Sequence, residues 1–374
     1  MQSRKRQVLI FLPFLTRGGA ETQGFLLAKG LKQKGYDVDV CGFELASKSY
    51  TLTDELEAEK LTHFVLPFQM SAFGSRVSQI ATCCKFIQII RKKKYDAIIP
   101  FTWFPNFLSA LTYRFAGVEV CFWNQRNVED HVAVFGLEKF LPIKKLKFVS
   151  NSSPGKKFLQ RRFNLNSEVV AIIKNGILVR AHQKTTEQWK SELQLGSRIV
   201  ITMSANFFHE KDFDTVLRAM ALLKKTSPST ILLLVGGGGN PAHKNATKAL
   251  AFDLNLSEHV KFLDTISDIS GLLSASHIGL LSSTSEGCPN SVLEYMHAKL
   301  PVVATNIEGV ADVLGKDYPY LFETGNAQML ADKLSELLED GTLRKNIGQK
   351  LFDKVVSEYN VEQMVNSFIQ LIKQ

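Results

Sequence analysis

The sequence is poor in the patterns that mark a secreted, metal-clipped or membrane-spanning chain. Its 374 residues hold five cysteines, Cys41, Cys83, Cys84, Cys121 and Cys288, an odd number with no C-x-x-C pair. That excludes a disulfide framework and a cysteine-built zinc site, and it points to a reducing compartment. The eight histidines show no paired spacing for zinc. No apolar run reaches the roughly 18 residues needed to cross a bilayer. The opening MQSRKRQVLIFLPFL mimics a leader, with basic residues ahead of an apolar stretch. The stretch is short, however, and runs into Thr16-Arg17-Gly18-Gly19 with no small-residue cleavage site. It reads as a buried first strand. Low-complexity tracts and short-period repeats are absent. So are helix-turn-helix, RNP and zinc-finger patterns, which argues against a nucleic-acid partner.

What is present is an ordinary globular composition, 45% hydrophobic and 22% charged. The length allows two domains, each able to bury its own core. Charge is unevenly placed within the net +9: residues 1–178 hold 26 Lys/Arg against 14 Asp/Glu, and the remainder holds 19 against 22. All the positive excess therefore lies in the first half. Such a half suits an anionic partner, whether phospholipid, lipid phosphate, nucleic acid or an acidic substrate; the alternative is a merely soluble basic domain.

Apolar runs alternate with amphipathic segments. Strands are expected at 7–13, 36–41, 63–66, 97–101, 118–123, 147–149 and 169–173. Helices are expected at 19–34, 51–61 and 75–94, the last with Val77, Ile80, Cys84, Ile87 and Ile90 on one face. The alternation then restarts, with strands at 198–203, 230–235, 260–262, 278–282 and 301–304. Helices at 212–225, 241–253, 291–298 and 327–339 accompany them, and an amphipathic helix at 361–372 closes the chain. This is the pattern of an α/β protein with parallel sheets covered on both faces, in two doubly wound, Rossmann-like domains. Asn175-Gly176 is a turn signal in a hinge-like position at their joint.

Four loops could carry chemistry. Gly18-Gly19 follows the first strand and opens a helix, where backbone N–H groups can meet an anion; a tight turn is the plainer explanation. Gly236-Gly237-Gly238-Gly239 follows a strand, but Pro241 stands where a dinucleotide fingerprint needs glycine or alanine. Lys211, in Asn206-Phe207-Phe208-His209-Glu210-Lys211-Asp212, can neutralise a diphosphate as a compact charge. The most specific segment is Ser285-Glu286-Gly287-Cys288-Pro289-Asn290-Ser291-Val292-Leu293-Glu294, which joins a strand to a helix. Its loop and helix start can hold a phosphate, and its two carboxylates suit sugar and ribose hydroxyls. Ser291-x-x-Glu294 also spells a capping box, which would make Glu294 structural. The D-x-D triplet Asp37-Val38-Asp39 falls inside a strand, so no metal is expected there.

With these motifs quoted, the chain resembles the retaining GT-B glycosyltransferases of family 4, the group-1 transferases. The resemblance covers nearly the whole sequence. It runs through the first glycine loop, Lys174-Asn175-Gly176-Ile177, the Lys211 loop, Leu234-Val235-Gly236-Gly237-Gly238, the E-x7-E element Glu286–Glu294 and Leu300-Pro301-Val302-Val303-Ala304-Thr305. It implies two Rossmann-like domains facing across a cleft. Residues 1–178 would bind acceptor, 179–356 would bind nucleotide sugar, and a helix in 357–374 would cross back to the first domain. Glu286 would hold donor-sugar hydroxyls and Glu294 the ribose. Lys211 and backbone near Gly287, Cys288, Pro289, Asn290 and Ser291 would contact the diphosphate, with Gly18 and Gly19 approaching it from the other domain.

Three positions depart from the family pattern. Asn206 stands where an arginine is common, five residues before the lysine. Arg126 stands near a usual histidine; it can stabilise charge but cannot shuttle a proton. Glu308-Gly309 replaces Gly-Gly. The expectation is a metal- and cofactor-independent hexosyltransferase with Glu286, Lys211 and Arg126 as catalytic groups and Asn206 among the donor contacts. The donor would be a nucleotide-diphosphate sugar, UDP-sugar favoured. The acceptor would be a glycan or a polyprenyl-diphosphate-linked sugar, in cell-surface polysaccharide synthesis. A sugar-nucleotide epimerase, or a non-catalytic nucleotide-binding subunit, are the rivals. The enzyme is expected in the cytoplasm, peripheral on anionic membrane. Its contact face would be Arg91–Lys94, Lys144, Lys145, Lys147, Lys156, Lys157, Arg161 and Arg162, interleaved with Phe140, Leu141, Ile143, Phe158 and Leu159.

Overall fold

The computed structural model describes residues 4–43, 52–68, 75–128, 138–177 and 180–374. The chain divides into two compact units, Met1–Gly176 with Asn360–Gln374, and Ile177–Tyr359. The expected joint at 178/179 and the expected helix start at residue 51 lie outside the described residues.

The first unit is a parallel sheet with helices on both faces. In chain order it contains β1 (Gln7–Phe14), α1 (Gly19–Gln33), β2 (Asp37–Phe43), α2 (Thr53–Ala58), β3 (Thr62–Val65), α3 (Arg76–Lys93), β4 (Ala97–Pro100), α4 (Trp103–Thr112), β5 (Val120–Gln125), β6 (Lys147–Ser150), α5 (Ser153–Phe163) and β7 (Val170–Ile172). The seven strands lie in the order β3-β2-β1-β4-β5-β6-β7. β1 is central, and Val8–Leu12 are fully buried, as a strand covered on both sides requires.

Two helices show what periodicity alone misses. α3 turns a different face inward than its aliphatic stripe suggests. Gln79, Thr82, Phe86 and Ile90 are buried, while Val77 and Ile80 are 78% and 62% exposed. Phe86 and Ile90 anchor the inward face, and the Phe86 ring stacks 5.2 Å from Phe11. α4 is buried nearly all round, with Trp103 stacked on Phe107 at 5.2 Å. Its polar residues Asn106, Ser109 and Thr112 recur at helical spacing, yet they are buried along with the apolar ones.

The second unit begins with α6 (Thr186–Glu192). It continues through β8 (Ile199–Ser204), α7 (Phe213–Thr226), β9 (Thr230–Val235), α8 (Pro241–Asp253), β10 (Val260–Leu263), α9 (Ile269–Ser274) and β11 (Ile278–Leu281). Then come α10 (Asn290–His297), β12 (Val302–Thr305), α11 (Glu308–Leu314), β13 (Leu321–Phe322), α12 (Ala327–Glu339) and α13 (Gly341–Glu358). The order of its six parallel strands is β10-β9-β8-β11-β12-β13. Asp340 separates α12 from α13 by accepting from the N–H groups of Thr342 and Leu343 at 2.8 and 2.9 Å.

The last helix, α14 (Val361–Lys373), belongs to the first unit and packs on α1. A Cβ on Gly30 would strike Val365, so glycine there permits the close approach. Phe368 meets Phe122 edge-on at 5.6 Å.

Candidate functional site

In the second unit the strand order reverses between β8 and β11. Ligands of doubly wound sheets sit beyond the strand ends at such a switch point. Both principal sequence candidates lie there. The loop after β8 carries Lys211 and the loop after β11 carries Glu286. The Lys211 ammonium donates to the Glu286 carboxylate, and both side chains are largely buried, at 19% and 14% exposure.

Backbone bonds lock these two loops together. The Glu210 carbonyl accepts from the Thr284 N–H at 2.8 Å and from the Ser283 hydroxyl at 3.0 Å. The Asp212 N–H donates to the Ser282 carbonyl at 3.2 Å. Asp212 also caps α7 through the Thr215 N–H, which fixes where the lysine loop ends. Ser283 is fully buried, and its own N–H donates to the Thr305 hydroxyl.

Asn206 faces the glycine run rather than Glu286: its side-chain oxygen accepts from the Gly238 N–H at 3.0 Å. A Cβ on Gly236 would collide with the Ala205 carbonyl, and one on Gly239 with the Phe207 backbone. Gly239 also has φ +103. Two backbones packed side by side therefore account for this run. Gly309 acts similarly, because a Cβ there would strike the carbonyl oxygens of Glu286 and Gly287.

α10 begins at Asn290 with Pro289 as its cap residue and no side-chain cap. The capping box suggested by Ser291 and Glu294 is therefore not formed. Glu294 sits in the second turn rather than the first. Gly287 and Pro289 are buried, and Cys288 packs against the apolar cluster beneath the loop. The fully buried Tyr295 hydroxyl accepts from the Ser204 N–H at 2.6 Å and is bonded by the Ser291 side chain, tying β8 to α10. Burial pushes the Glu294 carboxyl up to about 7, against the pull of Arg180. The assembled groups are a paired cation and carboxylate, an uncapped helix start and a carboxyl poised near neutrality. Together they can bind an anion and polyol hydroxyls.

The remaining sequence candidates lie in the first unit. Gly18 is the N-cap of α1 and Gly19 its first residue. The Glu21 carboxylate lies where a Gly18 Cβ would go. Burial raises Glu21 to about 7, opposed by its own backbone N–H. Arg126 is buried on another element. Its guanidinium donates to the Asn175 side-chain oxygen at 2.9 Å and lies 5.1 Å over the Phe101 ring. Sequence reasoning did not single out Glu21, Ser283, Tyr295 or Arg180. All four lie outside the motifs quoted above.

Other expected features are rearranged. Asp39 of the D-x-D triplet accepts from the Tyr95 hydroxyl at 2.5 Å and pairs with Lys93 at 3.3 Å. Among the described residues no group of three or more His, Cys, Asp or Glu could hold a metal. Of the apolar residues expected on a basic face, Leu141 and Leu159 are core residues, and Ile143 and Phe158 pack against that core. Phe140 alone is well exposed, at 62%. They are core because the short connections around β6 and α5 must cover the sheet.

Comparison with known proteins places this geometry. The family described as "Glycosyltransferase Family 4" matches residues 17–179, and "Glycosyl transferases group 1" matches residues 183–352. An uncharacterized glycosyltransferase of Haemophilus influenzae is 24% identical over 94% of this chain and 95% of its own. The UDP-Gal:alpha-D-GlcNAc-diphosphoundecaprenol alpha-1,3-galactosyltransferase of Escherichia coli is 20% identical over 91% of this chain and 90% of its own. The Anabaena protein HepE, solved with UDP and glucose, superposes with a TM-score of 0.83 at 19% identity, covering 98% of this chain and 99% of that one. The two family matches together span both units, and the chain belongs to the group-1 glycosyltransferases of family 4, with their GT-B fold of two Rossmann-like domains.

Proposed function

We propose that the protein is a retaining, metal-independent hexosyl- or N-acetylhexosaminyltransferase that uses a UDP-sugar. The observation that carries this is the Lys211–Glu286 pair at the switch point of the second unit. Lys211 and the uncapped start of α10 bind the diphosphate, Glu286 accepts from sugar hydroxyls, and Glu294 accepts from the ribose. Asn206 positions the glycine run beside them. The acceptor oxygen forms its bond to the anomeric carbon on the face that the nucleotide leaves. The bond from that carbon to the phosphate oxygen breaks, and UDP departs with the electron pair. The acceptor proton passes to the leaving phosphate. Gly18, Gly19 and Arg126 contribute from the first unit by resemblance, Arg126 as a fixed positive charge. The UDP complex of the Anabaena neighbour supports the choice of nucleotide.

The acceptor is a glycan carried on a lipid diphosphate, as in the name of the Escherichia coli relative. No helix among the described residues is long and apolar enough to cross a membrane. We assign the enzyme to the cytoplasmic membrane face, held peripherally by basic residues of the first unit. Exposed Phe140 and the exposed Val77 and Ile80 of α3 supply an apolar edge. Turnover of labelled sugar nucleotides with a lipid-linked acceptor, with and without EDTA, tests the reading. Transfer that survives EDTA is expected. Conversion of the donor sugar without any acceptor would identify an epimerase instead.

A further inference from the structure

Beside Glu294 the second unit holds a cavity of about 240 Å³ that the proposed donor contacts do not fill. Three pieces of chain wall it. Arg180 and His182 come from the stretch before α6, Ser270 and Leu273 from α9, and Glu294 and His297 from α10. Lys211, Glu286, Asn206 and the glycine run do not line it; Glu294 alone is shared with the proposed donor site. The volume is below the roughly 300–1,000 Å³ typical of sites that enclose a drug-sized ligand, so the cavity does not enclose a whole nucleotide sugar by itself.

The lining favours a compact anion. Arg180 is half-buried and offers a planar fork of donors. The Ser270 hydroxyl makes no hydrogen bond among the described residues, so it is available to a ligand. His297 is held below its usual pKa by burial, so near neutrality its ring carries one N–H donor and no charge. Lys299 also lines the cavity, but its ammonium is engaged 4.7 Å over the Phe352 ring, so the Arg180 fork is the cation assigned to a ligand. Glu294 is the one carboxyl present, and burial weakens its negative charge. Donor-bearing side chains line it from three separate chain segments, an arrangement that suits a tetrahedral phosphate better than a flat carboxylate.

We propose that this cavity is a second ligand site of the enzyme, which binds the phosphate group of inorganic phosphate or of a small phosphate ester through Arg180 and Ser270. Occupation draws the Arg180 guanidinium toward the phosphate and away from Glu294. Glu294 then holds its proton more tightly and becomes a poorer acceptor. If Glu294 holds the donor ribose, as proposed above, phosphate and UDP each weaken the other's binding by the same factor. Only this coupling rests on the donor reading; the phosphate site itself does not.

The test is calorimetric titration of inorganic phosphate into the full chain and into its Arg180→Ala, Ser270→Ala and Lys211→Ala variants. The expected result is about tenfold or greater weakening in Arg180→Ala, a severalfold loss in Ser270→Ala and little change in Lys211→Ala. Loss of phosphate binding in Lys211→Ala with none in Arg180→Ala would put the anion at the lysine loop and overturn the proposal. Absence of binding at millimolar phosphate would overturn it as well. A parallel titration with UDP keeps the two readings separate, because Lys211→Ala weakens UDP only if the donor assignment holds.

Discussion

The Ser283 hydroxyl donates to the Glu210 carbonyl oxygen at 3.0 Å, and this bond joins the loop that carries Glu286 to the loop that carries Lys211. The bond is part-buried, the same hydroxyl also lies 3.1 Å from the Ser285 carbonyl oxygen, and Glu210 adjoins Lys211, so Ser283 acts as a positioning residue for the ion pair. Ser283→Ala is expected to weaken UDP binding by about tenfold, the scale of one hydrogen bond. The effect should vanish in a Lys211→Ala background, because the positioned group is gone. A lowered melting temperature with unchanged UDP affinity would reduce Ser283 to a structural role.

Glu294 makes donor affinity depend on pH. Its carboxyl is raised to about 7 by burial, with Arg180 opposing. Ribose hydroxyls donate more strongly to the carboxylate than to the acid, so UDP affinity should rise as pH climbs through 7. Between pH 6 and pH 8 the gain should approach tenfold, following the ionised fraction. Glu294→Gln should flatten the profile. An unchanged profile in that variant would assign the titration to another group.

Much of this organisation was legible in sequence, and the failures have physical causes. The strands of the first unit were readable because apolar runs such as Val8–Leu12 are buried on both faces. α4 was passed over although Asn106, Ser109 and Thr112 recur at helical spacing; these polar residues are buried with the apolar ones instead of facing solvent. α5 was passed over although Ser152 and Pro154 mark its start; Ser152 accepts from the Gly155 N–H at 3.4 Å. The E-x7-E segment singled out Glu286 and Glu294, but its spacing also allowed a capping box, which the helix start at Asn290 removes. Ser283 and Arg180 were invisible because their roles arise from neighbours distant in the chain.

Glu21 gives the first unit a pH-dependent stability. Its carboxyl has a folded value of about 7 against an ordinary 4.5, the cause being burial offset by its own backbone N–H. Between these values the unfolded chain has released a proton that the folded chain keeps. The stabilising contribution is therefore complete below 4.5 and is lost as pH rises through about 7. The change is on the order of 3 kcal/mol at most. Glu21→Gln removes the titration, so urea unfolding should show the variant gaining on wild type between pH 5 and pH 8. Parallel pH profiles for the two proteins would rule this out.

Membrane attachment should follow charge. Co-sedimentation with anionic vesicles is expected at low salt, lost at high salt and reduced by Lys144→Glu with Lys145→Glu, at about 1 kcal/mol per lysine near the surface. Neutral vesicles should not bind. Failure to bind anionic vesicles at low salt would favour a soluble acceptor.

The donor-site assignment is tested most directly by turnover and UDP affinity of Glu286→Gln measured on the same preparation. In the proposed function this carboxylate accepts from sugar hydroxyls and not from the nucleotide. Turnover should therefore fall by two or more orders of magnitude, about 3–4 kcal/mol of transition-state stabilisation, while UDP affinity stays within a few-fold of wild type. Near-wild-type turnover in a folded Glu286→Gln protein, with every sugar nucleotide that the wild type accepts, would contradict the assignment.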